Sequence, residues 1–403
     1  MIDEGNESWR LMVVAGEASG DTLAAKLVHA LRAQAPHAQF DFFGATSGKM
    51  RAAGVEEVVC ADHLAITGLL EAGRALPVFW RAFQTLKQAA LKRRPDAVIL
   101  VDWPDFNLRL ARSLHRRGLK VIYYVSPQLW AWRAKRIKLI QRDVDMLLAI
   151  LPFEPDWYKR RGVHHVEFVG HPLVGMTQAQ TSLEEFRARH GLSPAPPIIA
   201  LLPGSRRKEL LRNLPLMLEA AKLVLRIRPA TQFVLALAPD RSRQEAAPFI
   251  AALAPSVDAA RVHKSLRIVE NETYDALAAA DAAAVASGTA TLEAALIGTP
   301  LVVVYKESAL NWHTLGRLIN TEHFGLVNLV AGERIATELM QHDFTAARLA
   351  SELLALLDPL RNQTARAQLR TATARLGAGG ASERTADAVL HALRTWKTEA
   401  DTL

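Results

Sequence analysis

The sequence contains one cysteine, Cys60, among 403 residues. A single thiol cannot form a disulfide within the chain, and it cannot build a thiol-based zinc cluster or a redox pair. No stretch reaches the roughly 18 apolar residues that a membrane span needs, and the polar start of the sequence does not resemble a signal peptide. These absences predict a cytoplasmic protein, unless it attaches to a surface.

Signatures of nucleic-acid binding and of metal binding are also missing. The formal net charge of +8 favours anionic partners, but the basic clusters are not part of a recognised nucleic-acid-binding module. No group of His, Asp and Glu has metal-ligand spacing, and the D-x-D signature of metal-dependent sugar transferases is absent as a loop motif. We therefore expect no nucleic-acid partner, no metal and no cofactor.

The length and composition predict a globular protein of two domains. Half of the residues are hydrophobic and 22% are charged, which is typical of folded domains of about 100 to 200 residues each. A polar stretch rich in proline and glycine covers residues 171–197 and predicts the boundary. The predicted parts are an N-terminal domain at 1–172, a second domain at 198–345 and C-terminal helices at 346–403.

Short apolar runs alternate with longer stretches of helical periodicity. Each run has the length and the uninterrupted apolar character of a buried parallel strand. The runs are 11–15, 97–101, 121–125, 146–151, 198–202, 233–237, 282–286 and 301–305. This alternation is typical of doubly wound α/β sheets, whose ligands bind beyond the carboxyl ends of the strands.

The first run leads into a turn with two glycines, Gly16 and Gly20. Glycines at such a turn let a ligand approach the backbone N–H groups. The spacing differs from the dinucleotide-binding fingerprint, and Glu17 and Asp21 would repel a pyrophosphate. Sugar hydroxyls therefore suit this turn better than a pyrophosphate does. Ser19 is part of the same turn. A tight turn with a polar helix cap is the alternative interpretation.

The second run ends at Asp102, followed closely by Asp105 and Asn107. A carboxylate at the carboxyl end of a strand faces the ligand side of the sheet, where it can take a proton from a hydroxyl as a general base. Helix capping is the alternative, and it suits Asp105 or Asn107 better than Asp102.

Two tryptophans and a basic cluster follow the third run. Ser126 begins this loop, which continues through Trp130, Trp132 and Arg133. Aromatic faces and cations on one rim suit an amphiphilic, phosphorylated ligand. The alternative is an ordinary solvated basic face.

Two loops in the second half have the character of phosphate-binding turns. Gly204 and Ser205 offer backbone and hydroxyl donors, and Arg206 offers a bidentate fork for phosphate oxygens. The P-loop spacing is absent. The other loop consists of Ser287, Gly288 and Thr289, and it precedes a predicted helix whose first turn carries Glu293. A helix N-terminus favours phosphate, and a carboxylate can accept hydrogen bonds from a ribose diol.

Seven motifs, taken in chain order, resemble those of the lipid-A-disaccharide synthase family. The resemblance covers nearly the whole chain, and the Trp-Ala-Trp-Arg run is its most specific part. The motifs lie at Ala15 to Asp21, Asp102 to Asn107, Tyr124 to Arg133, Leu151 to Glu154, Val169 to Pro172, Leu202 to Arg206 and Ser287 to Glu293. The sequence departs from the family pattern at Val327 and Thr337, where proline is common.

The resemblance implies a GT-B fold, with two Rossmann-like domains facing each other across a cleft and donor UDP on the C-terminal domain. The implied reaction joins UDP-2,3-diacylglucosamine to 2,3-diacylglucosamine 1-phosphate, giving a β-1,6 disaccharide and UDP with inversion. Asp102 becomes the candidate base, Arg206 the diphosphate ligand and Glu293 the ribose ligand. The match also places Asn328 and Gln341 at the donor site.

Acylated substrates imply a membrane surface as a partner. The segment 64–94 combines an apolar stripe with cations that suit anionic headgroups. The stripe is Leu69, Leu70, Leu76, Val78, Phe79, Trp80, Phe83 and Leu86, and the cations are Arg74, Arg81, Lys87, Lys92, Arg93 and Arg94. It predicts peripheral attachment to the inner membrane, with packing of this helix on its own sheet as the alternative. A homo-oligomer is also possible.

Two other functions compete with the transferase. An epimerase acting on UDP-N-acetylglucosamine would use the same architecture with other acids. A non-catalytic nucleotide-sugar binding module would need no base, and the presence of Asp102 together with Arg206 and Glu293 argues against it.

Overall fold

A computed structural model describes residues 7–62, 69–239, 241–253, 256–307 and 321–402, with the backbone alone for 69–75 and 401. The described residues form two compact units. The first domain runs up to Pro172 and resumes at Ala378, and the second domain is Leu173–Gly377.

The sheet of the first domain has seven parallel strands in the order β3-β2-β1-β4-β5-β6-β7. They are β1 Ser8–Ala15, β2 Gln39–Thr46, β3 Glu56–Cys60, β4 Ala97–Val101, β5 Val121–Tyr124, β6 Met146–Ala149 and β7 Val166–Phe168. The helices between them are α1 Ala18–Gln34, α2 Gly48–Ala52, α3 Leu69–Arg93, α4 Pro104–His115, α5 Ile137–Asp143 and α6 Glu154–Lys159, and a short 3₁₀ turn, Ala134–Arg136, precedes α5.

The sheet of the second domain has six parallel strands in the order β10-β9-β8-β11-β12-β13. They are β8 Ile198–Leu202, β9 Gln232–Leu237, β10 Leu266–Glu270, β11 Ala282–Ala286, β12 Leu301–Tyr305 and β13 Glu338–Met340. The helices are α7 Leu183–His190, α8 Arg207–Ile227, α9 Arg243–Ala251, α10 Val257–Ser265, α11 Thr273–Ala279, α12 Ala290–Ile297, α13 Leu326–Ala331, α14 Ala346–Leu356 and α15 Pro359–Ala374; α16, Ala381–Asp401, ends the chain.

The central strands β4 and β11 are apolar throughout because helices cover both faces of each sheet. Every residue of β4 and β11 is buried. Each sheet reverses its strand order once, between β1 and β4 in the first domain and between β8 and β11 in the second. At such a reversal the loops diverge and leave a crevice at the carboxyl ends of the strands, which positions both groups of candidate residues.

All eight predicted strands are confirmed, and five further strands were missed. The missed strands are β2, β3, β7, β10 and β13. All except β2 are edge strands, and β2 lies next to an edge. In these strands polar residues interrupt the apolar run, or the strand has only three residues. The predicted run 121–125 is one residue too long, because Val125 has a left-handed backbone with φ of 66° and ends β5.

The C-terminal helices are divided differently from the sequence-based expectation for 346–403. The helices α14 and α15 belong to the second domain, whereas α16 belongs to the first. The apolar face of α16 explains this placement, because Val389 and Leu393 lie in the same buried cluster as Leu27 and Leu31 of α1. The Gln34 amide also donates a hydrogen bond of 2.9 Å to the Glu383 carbonyl oxygen.

Within the part of the chain that the structure describes, none of the helices combines the length and the apolar character of a membrane span.

The packing of α16 predicts a specific loss of stability. Leu393 is 1% exposed, so Leu393→Ala should leave a cavity and lower the free energy of unfolding by about 2 to 5 kcal/mol. His391→Ala, at an exposed position of the same helix, should change it by less than about 0.5 kcal/mol. Urea unfolding followed by circular dichroism measures both, and equal midpoints for the two variants would contradict the assigned packing.

Candidate functional site

A cavity of about 570 Å³ lies in the second domain, at the carboxyl ends of β8, β9 and β11. This is the reversal point of the sheet, and the volume is in the range of small-molecule sites. The cavity is lined by Glu293 and by all the residues of the two predicted phosphate-binding loops, which are Gly204, Ser205, Arg206, Ser287, Gly288 and Thr289. The fold thus brings together residues more than 80 positions apart.

The loop after β8 depends on a glycine and on a carboxylate that folds back. Gly204 has φ of 118°, and a Cβ there would lie 2.4 Å from Glu209 Oε2. That oxygen accepts a hydrogen bond of 3.1 Å from the Arg206 backbone N–H and so caps α8. The Arg206 side chain is 83% exposed, with its guanidinium 3.7 Å from the Glu209 carboxylate. It can therefore turn towards an anion in the cavity.

The loop after β11 presents backbone to open space. Ser287 Oγ donates to the Phe324 carbonyl oxygen at 2.8 Å and anchors the loop. Gly288 has φ of 147°, and a Cβ at this position would meet no heavy atom within 4 Å. Thr289 then precedes α12, whose first N–H groups and positive dipole end favour an anion.

Glu293 shares the cavity with a tyrosine that the sequence analysis missed. The Tyr274 hydroxyl donates to Glu293 Oε1 at 3.1 Å, and both residues line the cavity. Burial raises the pKa of Glu293, although the hydrogen bond from Tyr274 opposes the rise. Burial and the Glu293 carboxylate raise the pKa of Tyr274 to about 12, so the phenol stays protonated and donates. Tyr274 lies on α11, outside the motifs of the sequence analysis, so no sequence signal indicated it.

Two residues expected at the donor site lie elsewhere. Asn328 is fully buried, and its Nδ2 donates to the Ala336 carbonyl oxygen and to Glu338 Oε1, both at 2.8 Å. Its Oδ1 accepts from the Ile335 and Ala336 backbone N–H groups. The residues that line the cavity include neither Asn328 nor Gln341. Asn328 therefore fastens the segment after α13 to β13 and does not line this cavity.

Gln341 follows β13 with a left-handed backbone, φ 53°. Its backbone N–H donates to the Tyr305 carbonyl oxygen at 2.9 Å. The side-chain amide pairs with the Glu307 backbone, donating to the carbonyl at 3.1 Å and accepting from the N–H at 3.0 Å. These bonds join the ends of β12 and β13, so the role of Gln341 in the structure is to hold this edge of the sheet.

In the first domain, Asp102 and the Gly16 turn meet at the carboxyl ends of β4 and β1. A Cβ on Gly16 would lie 2.2 Å from Cδ2 of Trp103, so the indole leaves space for glycine alone. Trp103 in turn stacks on Phe106, with ring centroids 4.1 Å apart. This packing holds the turn against the loop that carries Asp102.

Asp102 has the properties of a base that works near neutral pH. Its backbone is left-handed, φ 50°, and its carbonyl oxygen accepts from Tyr123 Oη at 2.6 Å and Asn107 Nδ2 at 2.8 Å. Burial and, to a lesser degree, the negative charge of Glu17 raise the pKa of Asp102 to about 6, against a hydrogen bond from the Trp103 backbone. Such a carboxyl is mostly ionised at pH 7 and yet binds a proton readily.

Asp105 lies in the opposite electrostatic environment. Its Oδ1 accepts from Arg133 Nη1 at 2.8 Å and from Arg136 Nη2 at 2.6 Å. Burial alone would raise the pKa of Asp105, but Arg136 and Arg133 outweigh it and the pKa is lowered. Asp105 is thus a weaker base than Asp102. The Arg133 guanidinium also lies over the half-exposed Trp132 ring, 4.2 Å from its centroid.

Other predicted residues of the Gly16 turn have structural contacts. Asp21 is 3% exposed, and its carboxylate accepts from the backbone N–H groups of Ser47, Lys49 and Met50 at the start of α2. Gly20 is buried, and its Cβ position would lie 3.7 Å from the Val101 carbonyl oxygen. The Asp21 hydrogen bonds hold the turn against the start of α2, whereas Glu17 and Ser19 are exposed.

Ser126 also lies in the interior, as part of a hydrogen-bond network. Its Oγ donates to Glu154 Oε2 at 2.6 Å, and Trp130 Nε1 donates to the other carboxylate oxygen at 3.0 Å. Glu154 is fully buried, which raises its pKa to about 7 despite these bonds and one from the Leu151 backbone. The expected contact of Ser126 with a ligand is therefore replaced by a role in fixing the tryptophan loop.

Among the described residues, no three His, Cys, Asp or Glu side chains are grouped to hold a metal ion.

Solved structures with the same fold place the chain in the GT-B class of two Rossmann-like domains. The crystal structure of a protein from Listeria monocytogenes described as a putative UDP-N-acetylglucosamine 2-epimerase matches with a TM-score of 0.64, 15% identity and coverage of 97% of both chains. The calicheamicin glycosyltransferase CalG4 matches with a TM-score of 0.58, 14% identity and coverage of 96% of this chain and 99% of that one. At such identities the likeness shows the fold alone.

The sequence comparisons identify the family. A family model described as lipid-A-disaccharide synthetase matches residues 11–391, so the chain belongs to the lipid-A-disaccharide synthase family. The lipid-A-disaccharide synthase of Geobacter metallireducens is 43% identical over 386 residues, which cover 95% of this chain and 97% of that protein. The enzyme of Nitrosococcus oceani is 40% identical, covering 93% and 94%. The chain is therefore a glycosyltransferase, and the epimerases are relatives in fold.

The proximity of Glu17 to Asp102 leads to a prediction about the pKa of that carboxyl. Glu17→Gln keeps the side-chain shape and removes the charge, so the pKa of Asp102 should fall below its value of about 6 in the unchanged protein. Carbon-13 NMR titration of the Asp102 carboxyl measures it, with Ser19→Ala in the same exposed turn as the control. An unchanged pKa in Glu17→Gln would show that the two carboxylates do not interact.

Proposed function

We propose that this chain transfers a 2,3-diacylglucosamine unit from its UDP derivative to 2,3-diacylglucosamine 1-phosphate. The products are a β-1,6-linked disaccharide 1-phosphate and UDP, the disaccharide-forming step of lipid A and lipopolysaccharide synthesis. The observation that carries the proposal is the 570 Å³ cavity, in which two anion-binding loops and a diol acceptor occur together in a member of this family.

The donor fits the cavity through its diphosphate and its ribose. Arg206 and the N-terminus of α12 would bind the diphosphate, whose charge grows as the sugar leaves. Glu293 would accept hydrogen bonds from the ribose hydroxyls. Structural relatives include a UDP-N-acetylglucosamine 2-epimerase from Neisseria meningitidis bound to UDP-N-acetylglucosamine, with a TM-score of 0.63 and 11% identity. That complex illustrates the ligand class of a protein with the same fold.

The chemistry assigned to Asp102 is proton transfer from the acceptor. As the 6-hydroxyl oxygen forms its bond to the anomeric carbon, the bond from that carbon to the diphosphate breaks. Asp102 takes the hydroxyl proton, and UDP carries away the bonding electron pair. Attack from the face opposite the leaving group inverts the anomeric centre. The raised pKa supports this assignment, because a base is most effective when its pKa is near the working pH.

The acceptor phosphate has a candidate ligand set in Arg133 and Arg136. Both guanidinium groups lie on a single Asp105 oxygen, so two cations share one anion. A phosphate offers more acceptor oxygens than this shared carboxylate oxygen and would compete for the two arginines. The exposed Trp132 ring beside Arg133 offers an apolar face to the same substrate.

The reaction predicts a large loss of activity for one isosteric substitution. Asp102→Asn removes the proton acceptor and keeps the shape, so turnover should fall by about 100 to 10,000-fold while UDP affinity stays within a few-fold. Acceptor-dependent release of UDP from labelled UDP-diacylglucosamine measures it. The unchanged enzyme should lose activity below a pH of about 6, where Asp102 becomes protonated.

The control for this experiment is Asp41→Asn, because Asp41 pairs with Arg10 towards the amino ends of the strands. That variant should keep its turnover. Retention of more than about a tenth of the activity by Asp102→Asn would exclude Asp102 as the base. UDP release or 2-epimer formation without acceptor would instead support the epimerase. EDTA should leave turnover unchanged, and a loss that Mg²⁺ restores would overturn the metal-independent mechanism.

We further propose that α3 attaches the first domain to the inner membrane from the cytoplasmic side. The apolar side chains of α3 that are exposed among the described residues are Leu76, Val78 and Trp80, exposed by 64%, 48% and 64%. Leu76 and Trp80, four positions apart, share one side of the helix. The predicted stripe was too wide, because Phe79 and Phe83 pack against the core and Leu86 is fully buried within it. Of the other predicted residues, 64–68 lie outside the described residues, and so do the side chains of Leu69, Leu70 and Arg74.

The exposed cations of the same segment would attract anionic headgroups at about 1 kcal/mol each. Arg81, Lys92 and Arg94 have exposed side chains. Arg93 instead makes an ion pair with Glu56 of β3 and contributes less to the proposed surface.

The proposed attachment predicts that the protein binds anionic vesicles in a salt-sensitive way and that removing the exposed apolar residues weakens this binding. A Leu76→Ser, Val78→Ser, Trp80→Ser variant should co-sediment with phosphatidylglycerol vesicles much less than the unchanged protein, because it loses apolar area at the interface. The matched control is Ile227→Ser, Val257→Ser, Leu360→Ser, which removes equally exposed apolar residues from the second domain. Equal binding by both variants, or unchanged protein whose binding ignores salt, would contradict the proposal. A homo-oligomer stays a prediction.

A further inference from the structure

The cavity of the second domain contains a hydrogen-bonded pair whose tyrosine has no role in the steps assigned so far. Tyr274 is the second residue of α11, and Glu293 lies in the first turn of α12. The phenol donates to Glu293 Oε1 at 3.1 Å, and both side chains are half-buried in the cavity wall. Two helices that follow different strands thus contribute to one carboxylate.

The donor inventory of the pair limits what a ligand can do there. A phenol has one O–H donor, and an ionised carboxylate has two oxygens with about four acceptor positions. With Oε1 partly occupied by Tyr274, Oε2 is open to a ligand hydroxyl, and Oε1 keeps a second acceptor position for a neighbouring hydroxyl. Such an arrangement suits two adjacent hydroxyl groups better than one.

We propose that Tyr274 is a positioning residue that fixes the Glu293 carboxylate for a vicinal diol and so makes the cavity selective for a ribonucleoside diphosphate over its 2′-deoxy analogue. The inference rests on the proposed UDP donor and concerns the same cavity. It adds a residue outside the sequence motifs and a specificity that the transfer reaction alone does not require.

The physical basis of the selectivity is the cost of an unpaired group in a partly buried site. Without the 2′-hydroxyl, the oriented Oε2 loses a hydrogen bond to a charged acceptor and remains partly desolvated. If Tyr274 no longer holds the carboxylate, Glu293 can rotate towards solvent. A rotated carboxylate binds the diol less well and loses little when the 2′-hydroxyl is absent.

The test measures nucleotide binding by titration calorimetry, with UDP and 2′-deoxy-UDP as the probes. The unchanged protein should bind UDP about tenfold more tightly than 2′-deoxy-UDP, as expected for one hydrogen bond to a charged group. Tyr274→Phe should lose about five- to tenfold in UDP affinity and keep its 2′-deoxy-UDP affinity within about twofold. Tyr124→Phe, a buried tyrosine of the first-domain core, is the matched control and should change neither affinity.

A double-variant cycle separates positioning from simple packing. If Tyr274 acts through Glu293, then Tyr274→Phe combined with Glu293→Gln should bind UDP no more weakly than Glu293→Gln alone. Additive losses, or equal losses for the two nucleotides in Tyr274→Phe, would overturn the proposal. Failure of the unchanged protein to bind UDP would overturn the proposed donor as well. UDP binding without discrimination against the 2′-deoxy analogue would overturn the selectivity alone.

Discussion

The reversal of strand order in each sheet is the constraint on which both candidate sites depend. Two neighbouring parallel strands, β1 with β4 and β8 with β11, send their loops to opposite sides and leave space at their carboxyl ends. Strands β4 and β11 carry apolar side chains that are buried on both faces. The candidate chemical groups therefore lie in the loops and first helical turns that follow the strands, where Asp102 follows β4 and Arg206 follows β8.

The two domains use these similar crevices with opposite electrostatics. In the first, burial raises the pKa of the Asp102 carboxyl to about 6, and the negative charge of Glu17 adds to this rise. In the second, an exposed guanidinium and a helix N-terminus present positive potential, with Glu293 as the proposed acceptor for neutral hydroxyls. One environment suits the acceptance of a proton and the other suits a departing diphosphate, which are the two charge movements of glycosyl transfer.

The sequence was sufficient for the central strands and for the two loops that line the cavity of the second domain, because uninterrupted apolar runs and glycine-rich turns are local signals. It was insufficient where a side chain's role depends on a distant backbone. Asp21 and Ser126 lie inside motifs, yet they bond to the start of α2 and to Glu154. Tyr274 lies outside every motif, and only the packing of α11 beside α12 brings it to Glu293.

The same limit applies to helix α3 and to the end of the chain. Periodicity identified an amphipathic helix, but only the packed structure shows that Phe83 turns inward while Trp80 remains exposed. The segment 346–403 reads as uniformly helical, and its division between the domains depends on which apolar face fits α1. That fit is a property of tertiary packing, which residue spacing does not encode.

The return of α16 to the first domain has a consequence for the order of events during synthesis. The second domain, Leu173–Gly377, is translated in full before the helix that completes the first domain's core. At about 5 to 20 residues per second, some 200 intervening residues delay that helix by roughly 10 to 40 seconds. During this interval the surface of α1 around Leu27 and Leu31 lacks its cover. The nascent first domain therefore exposes part of its apolar core until its last helix is made, although this domain is translated first.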